Sequence, residues 1–294
     1  MRKGFICGVN KYPGSPLYGC VNDTVDVARA AVSYGWRESD LHLLLDERVT
    51  KDNWVERMDW LTAVEPGDSI LYWFSGHGAQ IATRNPQLEI DGLDEIQVLV
   101  NHNWDDIDGT AIRDKELAEY IAKIPAGVNV IIGSDSCNSG GLMRAMLGNP
   151  HGPIIRPKTY PVPPDIAWRN AAARRLGFEP RGLYSLITAF WTMLFGPKTA
   201  TPTTPDLENT SLAPIAYVSG CKSDQTSADT EVNGRPCGAM THYFLQQLSI
   251  GLDKPFKDVV AAARSELRSQ RYSQEPQAAG SRSDQPCRTL LGMG

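Results

Sequence analysis

Two kinds of apolar pattern alternate along the first half of the chain. Apolar runs at Lys3 to Val9, Leu41 to Leu45, Ser69 to Phe74 and Val128 to Ile132 read as strands, and Val128 to Ile132, continuous rather than alternating, as one buried on both faces. Between them, apolar residues recur at helical spacing. Val21, Val25, Ala28 and Val32 follow an N-cap expected at Asn22-Asp23-Thr24, Trp54, Met58 and Leu61 share one face of a second helix, and a third runs from about Asp114 to Ile124. Strand following helix in this way predicts right-handed crossovers and a mainly parallel sheet of six or more strands flanked by helices, an α/β class. Thr83 to Glu95 reads as a polar loop, and Ile96 to Val100 as a further strand.

Beyond Met146 the pattern breaks down. Eleven of the twenty prolines fall between Pro150 and Pro214, so a long regular element there is improbable, with Ala167 to Leu176 the one candidate helix. Regular pattern resumes with a strand at Ile215 to Ser219 and two amphipathic helices, Ala239 to Ile250 and Pro255 to Arg271. The last twenty residues are polar, with Leu290-Leu291 as their apolar anchor. The chain therefore divides into a part spanning 1–149, a Pro-rich insert at 150–211 and a part spanning 212–294, read together as a single domain.

Two of the apolar runs end in chemistry. Val128 to Ile132 gives way to Gly133-Ser-Asp-Ser-Cys-Asn-Ser-Gly-Gly141, which puts Cys137 past the carboxyl end of a strand, the edge where open α/β sheets bind ligands. Ser69 to Phe74 stops at Ser75-Gly-His-Gly78 and delivers His77 to the same edge if the two strands are neighbours. An imidazole that takes the proton of a thiol makes it a nucleophile and can then protonate a leaving amine. Cysteine is more often an inert buried residue. A Gly-rich polar setting beside a histidine motif favours the catalytic reading.

Ser75-Gly-His-Gly78 and Asp135-Ser-Cys-Asn-Ser-Gly140 resemble the catalytic motifs of the caspase-like cysteine peptidases, most of all the metacaspase branch. Gly19-Cys-Val-Asn-Asp23, Asp91-Gly-Leu-Asp-Glu95 and Ser219-Gly-Cys-Lys-Ser-Asp-Gln-Thr-Ser-Ala-Asp229 resemble further signatures of that family, in its order. The resemblance implies a caspase-like α/β/α fold and a Cys137-His77 dyad working through a thioester, with oxyanion donors at the amides of Cys137 and Gly78. It also implies that Asp23 and Asp135 line the primary specificity pocket, with Cys20 and Ser75 beside them, so that cleavage follows Arg or Lys. The plainer roles of those two acids are a helix cap and a turn former. Many metacaspases need calcium. Asp91 and Asp114 match two of the family's metal-binding acids, but Lys115 and Arg144 stand where further acids are expected, so weak calcium dependence or none is anticipated. Protein or peptide substrates with Arg or Lys at the cleaved bond are implied, and an activating protein partner is open. A monomer is expected by the same resemblance.

The insert carries Arg156, Arg169, Arg174, Arg175 and Arg181, which makes it a candidate for self-cleavage by an enzyme specific for basic residues. A folded lid or a partner-docking surface, with Phe190-Trp191 and Met193-Leu194-Phe195, is the competing reading. A latent or inactive scaffold used for binding is the rival to enzymatic function as a whole.

Composition narrows these classes further. A net charge of −5 and a pI near 5.6 argue against nucleic acid as a partner. No apolar run approaches a membrane span, and the short apolar stretch after Met1 is too brief for a secretory signal, so a cytoplasmic location is expected. Six cysteines in such a chain are expected to stay reduced. Cys7 reads as a core residue, and Cys20, Cys221, Cys237 and Cys287 sit in polar, loop-like contexts without CxxC spacing, against a zinc site.

Overall fold

A computed structural model describes residues 1–84, 92–137, 155–176, 215–222 and 225–293. In chain order, β1 (Arg2–Gly8) leads into α1 (Cys20–Ser33), β2 (Leu41–Leu45) into α2 (Lys51–Thr62), and then comes β3 (Ser69–Ser75). β4 (Gly78–Ala82), β5 (Leu93–Val98), the single turn α3 (Ile107–Thr110) and β6 (Ala111–Arg113) precede α4 (Asp114–Ala122) and β7 (Asn129–Asp135). Further on lie β8 (Arg156–Pro157), α5 (Pro164–Leu176), β9 (Ile215–Ser219), β10 (Ala228–Val232), β11 (Arg235–Gly238), α6 (Ala239–Ile250), α7 (Phe256–Ser269), β12 (Gln277–Ala279) and α8 (Cys287–Leu290).

The main sheet has the order β12-β9-β7-β3-β1-β2, parallel throughout except for β12 at one edge. Its central strands are apolar on both faces because each face is covered. Phe5, Tyr72, Phe74 and Ile132 pack against Trp54, Met58 and Leu61 of α2 and Leu117 of α4. Ile6, Leu71, Trp73 and Ile131 pack on the other side against Val27 of α1, Met240 and Phe244 of α6 and Val260 of α7. This is the three-layered α/β/α arrangement that the apolar runs predict. At its centre Gly133 leaves room for the indole of Trp73, since a Cβ there would stand 2.1 Å from a ring carbon.

Several expectations need correction. The strand expected at Ile96 to Val100 is β5, which starts at Leu93 inside the expected Thr83–Glu95 loop and ends at Val98; it pairs with β4, a strand at Gly78–Ala82 outside the expected set, and with β6, in a separate antiparallel sheet. Asp23 is not the cap of α1; Gly19 holds that place and Asp23 sits in the first turn. Leu290-Leu291 anchor the C-terminal residues as expected, both buried, with the Leu291 carbonyl accepting from the Trp36 indole at 3.1 Å. Cys20, Cys221, Cys237 and Cys287 are all buried thiols, in or beside regular elements. The β10–β11 hairpin has no clear apolar period, because its inward positions include Asp229 and Thr230. Among the described residues no helix is long and apolar enough to cross a membrane.

Candidate active site

The pairing of β3 with β7 sets the site. Ser75 lies opposite Asp135 in the parallel register, so His77 and Cys137, each two residues farther on, leave the sheet side by side. They emerge at the carboxyl edge, next to the point between β1 and β3 where the strand order reverses, the place where α/β sheets open a crevice.

That crevice is filled by the chain itself. Residues 155–160 run through it as an extended segment whose Arg156 and Pro157, in β8, pair antiparallel with Asp229 and Ala228 of β10. The Lys158 amide donates to the Ser227 carbonyl at 3.0 Å. The Lys158 carbonyl accepts from two amides at once, Gly78 at 2.9 Å and Cys137 at 3.2 Å. Two backbone donors converging on one carbonyl oxygen beside a thiol form the geometry that holds a developing oxyanion in acyl transfer. They are the same two amides expected for that task.

The Lys158 side chain is 0% exposed. Its ammonium lies 2.9 Å from Ser75 Oγ and 3.2 Å from both Asp23 Oδ2 and Asp135 Oδ2. Burial disfavours its charge, but Asp135, Cys20 and Asp23 outweigh that and raise its pKa well above the usual lysine value. The four residues expected to line a cationic pocket therefore surround one cation. The acids are held in place by the fold. Asp23 accepts from Ser75 Oγ at 2.6 Å and the Gly238 amide at 2.7 Å, and Asp135 accepts from Ser227 Oγ at 2.6 Å and Thr241 Oγ1 at 2.7 Å. Gly238 closes the wall of the pocket. A Cβ there would lie 2.2 Å from Asp135 Oδ2 and 2.4 Å from Lys158 Nζ.

His77 is buried between rings. The rings of Tyr12 and Tyr160 lie tilted against it at 4.5 Å and 5.4 Å, and the Tyr12 hydroxyl accepts from the His77 amide at 3.0 Å. Its Nε2 lies 2.8 Å from the Ser15 carbonyl. Burial lowers the imidazole to about 4, with the carbonyls of Ser15 and Lys158 opposing the shift, so the ring is neutral at pH 7. The Cys137 thiol donates to the Gln225 carbonyl at 2.7 Å, a bond open only to the protonated form. The imidazole thus rests neutral beside Cys137.

Sequence reasoning passed over several of these residues. Lys158 is not among the insert's candidate arginines, although Arg156-Pro-Lys158 is a pair of cations spaced by a proline. Of those considered, Arg174 reaches Gln80 Oε1 at 2.5 Å from α5 and Arg169 faces Asp165 on the same helix. Arg181, Arg144, Phe190-Trp191 and Met193-Leu194-Phe195 lie outside the described residues. Gln225 and Ser227 fall inside the Ser219–Asp229 stretch that resembles a family signature, but it assigns them no role; Ser227 acts through both its carbonyl and its Oγ, and Gly238 by close approach.

Of the two acids matched to a metal, Asp114 alone lies among the described residues, and Asp91 lies outside them. Asp114 is buried and its Oδ2 has no hydrogen-bond partner, and burial pushes its carboxyl up to about 6 against the pull of Lys115. Neighbouring Asp94 is already paired with Lys115 and, at 2.7 Å, with Arg113. Among the described residues no three His, Cys, Asp or Glu side chains gather as metal ligands. Calcium wants several unpaired hard oxygens, and these residues do not fit it.

Residues 2–146 match the family model for the metacaspase, peptidase C14 domain. Among curated relatives, Metacaspase-1 of Schizosaccharomyces pombe is 26% identical over 296 residues, covering 94% of this chain and 66% of the relative. Metacaspase-1 of Pyricularia oryzae is 27% identical, with 94% and 70% covered, and that of Mycosarcoma maydis 29% identical, with 95% and 70% covered. The chain spans about two thirds of the length of these proteins. A crystal structure of a protein from Geobacter sulfurreducens superimposes with a TM-score of 0.61 at 23% identity, covering 95% of this chain and 93% of the other, a likeness of fold.

Proposed function

This chain belongs to the metacaspase family of cysteine peptidases, and from that premise we propose that it hydrolyses peptide bonds after Lys or Arg, beginning with its own Lys158-Thr159 bond. One observation carries the reading. Lys158 enters the cleft as a substrate would, its ammonium between Asp23 and Asp135 and its carbonyl on the amides of Gly78 and Cys137.

The chemistry follows from those positions. His77 takes the thiol proton, and Cys137 Sγ attacks the carbonyl carbon of the basic residue. An S–C bond forms, and the carbonyl oxygen gains negative charge that the two amides receive. Collapse breaks the C–N bond as His77 gives its proton to the departing amine, leaving a thioester. Water, deprotonated by His77, attacks that thioester, and the carboxylate product leaves as the thiol is restored.

The bound segment also makes the uncut chain latent toward other substrates, since its own lysine fills the pocket. Cleavage, or displacement by a protein partner, clears the cleft. Calcium has no step in this scheme. The test is intact-mass spectrometry of the purified full chain and of Cys137→Ala, with hydrolysis of fluorogenic peptides ending in Arg, Lys or Asp. A cut after Lys158 in wild type alone, with hydrolysis of the Arg and Lys peptides only, is expected. An uncut wild type that turns over none of the three overturns the proposal in favour of a binding scaffold.

A further inference from the structure

We propose that Tyr12, His102 and Trp104, together with the His77 ring, form an aromatic subsite that selects substrates by the second residue after the cleaved bond, where it takes an aromatic side chain. The inference rests on the reading that residues 155–160 occupy the cleft as a substrate does. It concerns the amine side of the bond, the half that departs when the thioester forms.

Tyr160 is the residue that reports the subsite. Its ring centre lies 5.4 Å from that of His77, 5.7 Å from Tyr12, 5.5 Å from His102 and 6.1 Å from Trp104. His102 meets it edge to face at 84°, and the other three rings are tilted against it, the arrangements that aromatic rings prefer over a face-to-face stack. The Tyr160 hydroxyl donates to the Pro13 carbonyl at 3.5 Å, the outer limit of a hydrogen bond, so the site holds the ring more than the hydroxyl.

The walls are braced by the body of the fold. The Tyr12 hydroxyl donates to the Val98 carbonyl of β5 at 2.8 Å while it accepts from the His77 amide. His102 Nδ1 donates to the Thr110 carbonyl at 3.2 Å, and the Thr110 hydroxyl accepts from the Asn103 amide at 3.0 Å. Trp104 packs on the core and meets His102 edge on, with ring centres 4.5 Å apart. None of these bonds involves residues 155–160. When the segment leaves, the four rings stay and lose the one that covered them, and an incoming ring regains that burial.

The register decides which residue arrives there. The Gly78 amide donates to the Lys158 carbonyl at 2.9 Å, and the Gly78 carbonyl accepts from the Tyr160 amide at 2.9 Å. Both sides of the Lys158-Thr159 bond are thus tied to one residue at the start of β4, with Thr159 bridged to it in parallel. A peptide that docks its basic residue between Asp23 and Asp135 and pairs with Gly78 in this frame brings its second residue beyond the bond onto the cluster. A side chain without a ring covers less of the walls and makes no edge-to-face contact, so Tyr, Phe or Trp is favoured at this place over Leu, and Leu over Ala.

The test uses internally quenched peptides that span the bond, Ile-Arg-Pro-Lys-Thr-Tyr-Pro-Val and its counterparts with Phe or Ala in place of Tyr, on the full chain after its activity has reached a constant rate, with the cut after Lys verified by mass spectrometry. All three give the same thioester, so its hydrolysis is common to them and the difference falls on kcat/KM. A value about tenfold higher for the Tyr peptide than for the Ala peptide is expected, with the Phe peptide within about twofold of Tyr. Trp104→Ala brings the ratio of Tyr to Ala toward one. Equal hydrolysis of the Tyr, Phe and Ala peptides overturns the subsite and leaves the specificity for Lys and Arg standing. Hydrolysis of none of them overturns that specificity and the subsite with it. The wild-type comparison decides the matter even if Trp104→Ala fails to fold.

Discussion

Lys158 Nζ stands 3.2 Å from Asp135 Oδ2, and neither side chain is exposed to solvent. A buried ion pair of this kind contributes little net stability, but removing one partner strands the other at a cost of about 3–5 kcal/mol. Here the stranded groups are two carboxylates facing each other, and the cheapest relief is to let water into the pocket. Lys158→Met is therefore expected to release the segment from the cleft. Progress curves on an external Arg peptide check this: the variant should hydrolyse from the first moment, whereas wild type shows a lag while its own bond is cut. An equal lag in both would mean the segment is no barrier.

Asp135 has a second duty that the motif alone did not reveal. It accepts bonds from Ser227 Oγ and Thr241 Oγ1, which tie β10 and α6 to β7, so replacement by Ala would remove structural contacts along with the pocket charge. Asp135→Asn keeps most of the shape and removes the charge. Its kcat/KM toward Lys and Arg peptides is expected to fall about 100-fold, within the range for breaking one buried charge pair, while its thermal transition shifts only modestly. Wild-type turnover in this variant would remove Asp135 from the pocket.

The central strands of the main sheet were readable because burial on both faces leaves an uninterrupted apolar run, as in Ile70 to Phe74, and the placement of His77 and Cys137 followed from such runs ending abruptly. The small sheets were not readable for the opposite reason. β4 and β8 are short, and Pro157 stands within β8, where proline signals against a strand. It is tolerated because β8 is an edge strand that pairs on one side only. Asp23 and Asp135 entered through a family resemblance, and composition alone would have left them as a cap and a turn. Lys158 escaped notice because nothing local marks a lysine as buried. Its environment is built by residues 135 positions earlier and about 70 later, Asp23 and Ser227.

Metal removal bears on the same site from outside. Asp94 already holds Lys115 and Arg113, two cations that travel with the chain. Hydrolysis of Arg peptides should then persist in excess EDTA within a factor of about two, and millimolar calcium should not accelerate it. Loss of activity on chelation that calcium alone restores would place a metal among residues outside those described.

The pH dependence of His77 separates the latent form from the open one. Burial between Tyr12 and Tyr160 holds the imidazole near 4 in the uncut chain, below its ordinary value of 6.5. The fold therefore prefers the neutral ring. The stability linked to His77 is full above pH 6.5 and is lost as the pH falls from 6.5 toward 4, because the unfolded chain takes up the proton first. Tyr160 lies just past the bond after Lys158, on the segment that departs. Release of that segment admits water to the ring and raises its pKa toward 6.5, into the range where an imidazole exchanges protons with a thiol at neutral pH. NMR titration of the His77 ring in Cys137→Ala, which stays uncut, and in the double variant with Lys158→Met should give a value near 4 for the first and a higher one for the second. A His77 that titrates near 6.5 in the uncut chain would show that burial by the segment is not what keeps the pair at rest.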